Sequence, residues 1–344
     1  MRGIPQNGWR CLRYLFVLSL SFSVSTALPA DSDSLRYKNI VFEGGGVRGI
    51  AYAGALTVLE NRGKLRAVER VGGTSVGAIT ALLLALGYTT AEMKAILTDL
   101  NIQQFNDGRG FFIGGFHRMA RRYGWYRGER LEKWIDMLIV RKTGNAALTF
   151  ADLHQRHRQQ PAFKDLYVTG TNLTTQKGVV FSHEHTPTMT LKTTVRISLS
   201  VPMYFGAVFM DADNRIVPKP KKGQAYQVLV DGGLTANYPL DLFDTNEQPN
   251  PETLGLKLER PEQLQHRAVT DGVAPYPIRN VGEYVGAFYN YIIENLNDKR
   301  PALEKERTVY ISTAGITPRV RRMRTDQTRQ LYESGERAAT AFLK

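Results

Sequence analysis

The pentapeptide Gly73-Thr74-Ser75-Val76-Gly77 fits G-x-S-x-G and lies between an apolar, strand-like stretch ending at Val71 and a long Ala/Leu-rich helical stretch. That setting restricts the fold, because a serine at the joint of a strand and a helix must occupy a tight, strained turn. Gly73 and Gly77 are the small residues that let strand and helix close around it. The chain holds 31 glycines, so the pentapeptide alone arises readily by chance and its flanks have to carry the reading. Upstream, Tyr37-Lys38-Asn39-Ile40-Val41-Phe42 reads as a strand that runs into Glu43-Gly44-Gly45-Gly46-Val47-Arg48-Gly49 and then into a helical run over 50–61. Strand and helix patterns alternate through the first half, which predicts an α/β domain built on a mainly parallel sheet with helices on both faces.

The glycine loop presents several backbone N–H groups in one direction at the positive end of a helix dipole, a geometry that holds an anion. In acyl transfer that anion is the tetrahedral oxyanion, and preorganised donors aimed at it are worth about 3–4 kcal/mol each. Gly44, Gly45 and Gly46 are the candidate donors, with Arg48 either adding charge or anchoring the loop. Gly44, Gly46 and Gly49 also fit the dinucleotide fingerprint. That fingerprint needs an acidic residue at the exit of the next strand. Here the strand near 65–71 exits into the G-x-S-x-G turn, and Glu69 precedes the exit. No Gly-Lys-Ser/Thr follows the glycines, which excludes a P-loop.

A serine hydroxyl is a weak nucleophile and needs a base. Downstream, Gln227-Val228-Leu229-Val230 is a short strand ending in Asp231-Gly232-Gly233, so a carboxylate stands at a strand exit with small residues after it. Alone, that tripeptide also reads as a turn. The six histidines, His117, His154, His157, His183, His185 and His266, fall in polar or basic stretches that read as loops or solvated helix faces, and none has the context of a catalytic base. Histidine and the single Cys11 offer no ligand cluster, and His183-Glu184-His185 lacks a helical i, i+4 pair, so neither a metal nor a cofactor is expected. An ordinary aspartate near pKa 4 is a feeble base at neutral pH, so Asp231 is expected to be partly desolvated.

These residues resemble the patatin-like phospholipases, acyl hydrolases that use a serine–aspartate dyad without histidine. Residues 43–49 are similar to the family's glycine-rich oxyanion motif, which opens more often with Asp than with Glu. Gly73-Thr74-Ser75-Val76-Gly77 is similar to its elbow, and Asp231-Gly232-Gly233 to its Asp-Gly-Gly/Ala motif. Between them, Ser198-Leu199-Ser200-Val201-Pro202-Met203-Tyr204-Phe205 resembles the family's Ser-x-x-x-Pro-x-x-Phe segment, and Asn237-Tyr238-Pro239 its Asn-x-Pro. The resemblance spans roughly 38–243 and, more loosely, a strand at 308–311 and a closing helix from about 325. It implies a three-layer α/β/α fold with a mainly parallel central sheet, with Ser75 as nucleophile and Asp231 as general base. It further implies an oxyanion hole from Gly44, Gly45, Gly46 and Arg48, with Gly73, Gly77, Gly232 and Gly233 supporting the motifs. The implied activity is lipid acyl hydrolysis of the phospholipase A or lysophospholipase type. A serine esterase or acyltransferase acting on a soluble ester is the alternative; a non-enzymatic lipid-binding domain would not need Ser75 and Asp231 together.

Arg2, Arg10 and Arg13, the apolar run Tyr14-Leu15-Phe16-Val17-Leu18-Ser19-Leu20 and the small residues Ser25-Thr26-Ala27 follow the plan of a secretory signal peptide over 1–27, with cleavage as late as 30. A spanning helix needs about 20 apolar residues, so a secreted or periplasmic protein is expected in preference to an anchored one. Residues 36–344 then read as a single acyl hydrolase domain without internal repeats. Within it, residues 107–130 are glycine-hinged, aromatic and rich in arginine, including Arg118, Arg121 and Arg122. They read as a loop, either a mobile cap that touches a membrane or a packed aromatic segment. The formal net charge of +13 draws the chain to anions. An anionic lipid surface needs only scattered Lys and Arg, each worth about 1 kcal/mol near headgroups. No nucleic-acid partner is expected, since no fold signature or ordered stacking aromatics accompany the charge. The densest basic runs are Lys219-Pro220-Lys221-Lys222 and Arg319-Val320-Arg321-Arg322-Met323-Arg324.

Overall fold

In a computed structural model of the chain, described residues are 37–344 except 109, 111, 219, 222, 247, 268, 270–272, 280–282, 285–286, 288–290, 292–303 and 318–321. The expected signal peptide lies outside them, as do Lys219, Lys222, Arg319 and Arg321 of the basic runs.

The first strand, β1 (Asn39–Phe42), is buried along its whole length, as a central parallel strand with both faces covered must be. It pairs in parallel with β2 (Arg70–Gly73) on one side and β9 (Thr253–Glu259) on the other, and β9 pairs in parallel with β10 (Thr308–Ser312). On the far side, β2 pairs in parallel with β4 (Asp165–Asn172). Antiparallel strands β5 (Lys177–Phe181), β8 (Gln227–Asp231) and β7 (Val208–Met210) complete an eight-stranded sheet. Helices flank this mainly parallel sheet in the expected α/β/α arrangement, so the fold class read from the sequence stands.

The helices follow their sequence patterns. Every residue of α2 (Val76–Ala85) is buried, which matches its all-round apolar character. α1 (Ile50–Asn61) packs on the closing helix Thr325–Phe342; Gly335 faces the backbone of Ala51, and a Cβ there would lie 2.9 Å from the Ala55 amide. α3 (Thr90–Thr98) starts at a capping box of Thr89 and Glu92 and buries Leu97.

The register around β4 positions the site. Val168 pairs with both Gly73 of β2 and Phe181 of β5, and Gly170 pairs with both Asp231 of β8 and Val179 of β5. Since β5 occupies one edge of β4, β2 and β8 must share the other. β2 runs parallel to β4 and β8 runs against it, so their C-terminal ends converge from opposite directions, two β4 residues apart.

Residues 107–130 differ from the expected loop. They contain a helix, α4 (Phe112–Arg122), and a strand, β3 (Gly124–Tyr126), that pairs with β6 (Met203–Phe205) in a second small sheet. The Asp107 carboxylate accepts from the amides of Arg127, Gly128 and Arg130, which stitches the segment closed at its base. α5 (Glu129–Thr143), α6 (Phe150–Gln159) and α7 (Leu191–Ser198) complete the helices used below.

Candidate active site

Ser75 sits between β2 and α2 with φ 55° and ψ −121°, a conformation that L-residues rarely adopt. Such strain persists only where the surroundings over-determine it. Here they do. The Ser75 amide donates to Ser198 Oγ at 2.9 Å, and the Thr74 hydroxyl lies 2.6 Å from both Thr169 Oγ1 and the Ala236 carbonyl oxygen. A Cβ on Gly73 would lie 2.5 Å from the Gly77 carbonyl carbon, and one on Gly77 2.7 Å from the Glu43 carbonyl oxygen. Both positions therefore require glycine for close approach, as the elbow motif implied. Ser75 is partly accessible, whereas Thr74 and Val76 are buried.

Asp231, the last residue of β8, is 2% exposed. Its amide donates to the Ser200 carbonyl at 3.1 Å, and its Oδ1 accepts the Gly233 amide at 2.7 Å. Oδ2 has no hydrogen bond of ordinary geometry among the described residues. Burial pushes the carboxyl up from 3.8 to about 7, against the smaller lowering effects of the Gly233 amide and the neighbouring Ser75 hydroxyl. The expected desolvation is thus present, and a carboxylate near neutral pKa is a competent proton acceptor. Gly232 packs on β4, where a Cβ would lie 2.8 Å from the Thr169 carbonyl oxygen. Gly233 opens the helical turn Gly233–Ala236 and supplies the amide that Asp231 binds.

The glycine loop divides into roles that its letters do not separate. The Gly44 amide donates to the Asn237 carbonyl at 3.0 Å, which takes it out of the set of available donors. The amides of Gly45 and Gly46 have no backbone acceptor among the described residues, and Gly46 holds φ 59°. Arg48 Nε donates to the Gly45 carbonyl at 2.9 Å, so of the two roles considered for Arg48 the contact is that of a loop anchor. Glu43, where the family more often has Asp, is buried. Its Oε2 accepts the Leu258 amide at 2.7 Å, its Oε1 accepts Asn237 Nδ2 at 3.2 Å, and its carbonyl accepts the Tyr52 hydroxyl at 2.6 Å.

Two further residues support the site: Ser198, which the Ser-x-x-x-Pro-x-x-Phe motif contains without assigning it a role, and Arg196, which lies just before that motif. Arg196 is buried on α7 and donates to the carbonyls of Arg127, Gly128 and Gly206 and to Ser200 Oγ. It therefore pins the base of 107–130 to the segment that carries Ser198 and Ser200. Arg118, expected among surface arginines, is also buried, with Nε 2.6 Å from the Trp125 carbonyl. The apolar face of α4 points outward instead: Phe112, Ile113 and Phe116 are 69%, 88% and 65% exposed. His154 and His183 do not lie apart on solvated surfaces as expected but meet at Asp165, so, contrary to the expectation of no ligand cluster, the histidines do contribute to one.

A strained serine thus stands at a strand–helix elbow beside a buried carboxylate, on a mainly parallel sheet flanked by helices. The family model for patatin-like phospholipases matches residues 40–244, and the chain belongs to this family of hydrolases acting on lipid esters. It is 29% identical to the uncharacterized protein YqhO of Bacillus subtilis over 90% of this chain and 98% of that protein. It is 25% identical to the probable lipid hydrolase 463L of Invertebrate iridescent virus 6, over 60% of this chain and 63% of that one. Among solved structures, VipD from Legionella pneumophila shares the fold, with a TM-score of 0.61 at 17% identity over 90% of this chain and 67% of that one.

Proposed function

We propose that the chain hydrolyses the acyl esters of phospholipids or lysophospholipids through a Ser75 acyl-enzyme, with Asp231 as the general base. The observation that carries this reading is the convergence of β2 and β8 on one edge of β4, which sets the Ser75 hydroxyl beside a carboxylate pushed up to about 7. Asp231 takes the hydroxyl proton as Ser75 Oγ bonds to the ester carbonyl carbon. The resulting oxyanion faces the amides of Gly45 and Gly46 and the N-terminal end of α2. Collapse breaks the ester C–O bond, and Asp231 returns the proton to the departing alcohol. Water then attacks the acyl-enzyme, gives its proton to the same carboxylate, and releases the fatty acid as Ser75 is reprotonated.

The exposed Phe112, Ile113 and Phe116 suit a protein that works at a lipid interface, with Arg121 and the rest of the +13 charge favouring anionic headgroups. A cavity of about 340 Å³, lined by Tyr123, Leu173, Pro202, Met203, Val228 and Val230, adjoins this region and is apolar enough for an acyl chain. Export through the N-terminal segment belongs to the same proposal.

The test is acyl release from mixed phospholipid vesicles, read by mass spectrometry, for wild type, Ser75→Ala, Asp231→Asn and the double variant. Each single change should abolish release in folded protein, and the double should be scarcely worse, since the two act as a unit. Full activity in Ser75→Ala would sink the assignment.

A further inference from the structure

At the opposite end of the sheet from Ser75, three side chains from separate elements converge without a role in the proposed chemistry. His154 comes from α6, Asp165 opens β4, and His183 follows β5. Each offers one ligand atom, and these atoms all lie within 4.8 Å of one another. Asp165 is 6% exposed, and its two carboxylate oxygens each lie 3.0 Å from His154 Nδ1. His183 Nδ1 is buried, has no hydrogen-bond partner among the described residues, and stands 3.8 Å from Asp165 Oδ1. The two imidazoles stack with centroids 4.0 Å apart and planes 5° from parallel. One carboxylate is therefore shared between two rings, yet it hydrogen-bonds only one of them.

We propose that His154, Asp165 and His183 form a structural binding site for a divalent transition metal of the zinc class. Two imidazoles and one carboxylate suit such an ion, whereas calcium and magnesium select all-oxygen sets. An ion bound here gives the His183 nitrogen the partner it lacks and leaves one coordination position for water. Imidazole donates in its own plane, so parallel rings cannot share one ion. Binding must swing the planes apart about a Cβ–Cγ bond, and side-chain exposures of 35% for His154 and 19% for His183 leave room for that rotation. The site is remote from the chemistry. Asp165 lies five β4 residues before Gly170, the partner of Asp231, a separation of about 16 Å at roughly 3.3 Å per residue. The ion would clip α6, β4 and the turn after β5 together, so its binding energy would add to stability and not to catalysis.

Protein stripped with a chelator and dialysed is titrated with Zn²⁺ in a calorimeter, and its Tm is measured with and without Zn²⁺. One ion per chain should bind, raising Tm. His154→Ala and His183→Ala should each weaken binding by more than the roughly 10–100-fold that losing an outer-shell partner costs, and abolish the Tm rise. Co²⁺ bound to wild type should give the visible absorption of a four-coordinate nitrogen–oxygen site, a readout that depends on no variant. Hydrolysis of a soluble ester should be equal in stripped and loaded protein. Absence of stoichiometric binding to wild type, or equal affinity in wild type and both histidine variants, overturns the proposal. Loss of ester hydrolysis on stripping overturns the structural role.

Discussion

Replacing Asp231 by Asn separates the chemical use of its carboxyl from the stability it costs. Burial raises the carboxyl from 3.8 to about 7. Below about pH 4 both folded and unfolded chains hold this proton, and the group adds no pH-linked penalty. As pH rises the unfolded chain releases the proton while the folded protein keeps it, so stability falls until the folded group also ionises near pH 7. The full loss is roughly 4 kcal/mol for a rise of this size, and about 2–3 kcal/mol of it accrues between pH 5 and pH 8. Asn keeps an oxygen for the Gly233 amide and cannot ionise, so Asp231→Asn escapes the pH-dependent part. Urea unfolding of wild type and variant at pH 5 and pH 8 measures it. The stability of the variant relative to wild type should improve by about 2–3 kcal/mol between the two pH values, whatever constant offset its buried NH₂ adds. In parallel, wild-type kcat/KM should rise with pH and level off above about pH 7, since only the ionised base accepts the serine proton. Parallel stability curves for the two proteins would refute the buried-carboxyl argument.

Ser198→Ala removes the acceptor for the Ser75 amide, and a buried unsatisfied N–H costs about 1–3 kcal/mol. The variant should lose thermal stability and kcat with KM little changed; steady-state kinetics showing an unaltered kcat would demote Ser198. Gly45→Ala and Gly77→Ala should fail differently. A Cβ on Gly45 meets the movable end of the Leu258 side chain, so stability should hold while kcat falls, whereas one on Gly77 meets the backbone of Phe42 and Glu43 and should destabilise by about 1–3 kcal/mol. Thermal unfolding beside kinetics tells them apart, and an intact kcat in Gly45→Ala returns the loop to a packing role. Ile113→Glu with Phe116→Glu should cut turnover of anionic vesicles and spare a short-chain soluble ester. Vesicle binding by wild type should weaken from about 0.1 M to 1 M salt, as the Debye length falls from about 10 Å to 3 Å. Equal loss of both activities in the α4 variant would make the helix structural.

The local chemistry is legible from the residues alone. Gly73 and Gly77 announced an elbow because only glycine tolerates the contacts that an elbow imposes, and Asp231-Gly232-Gly233 announced a carboxylate at a strand exit for the same kind of reason. The buried strands and helices were legible because burial on both faces demands continuous apolar residues, as along β1 and α2. Which partners meet depends on how the strands and helices assemble. That β8 runs antiparallel along the edge of β4 already used by β2 leaves no trace in residue composition, yet it is what brings Asp231 to Ser75. The glycine loop shows the same limit: its letters do not reveal that the Gly44 amide is taken by Asn237, nearly two hundred residues away. His154 and His183 read as solvated because each stretch is locally polar, and they meet at Asp165 only through strand pairing and helix docking. Arg118 misled for the converse reason. A charged residue reads as surface, but the Trp125 carbonyl accepts a hydrogen bond from the buried Arg118 guanidinium, and the apolar side of α4 faces out. Local physics is written in the order of the residues, whereas which strands and side chains share an edge or a cavity is settled only when the whole sheet is assembled.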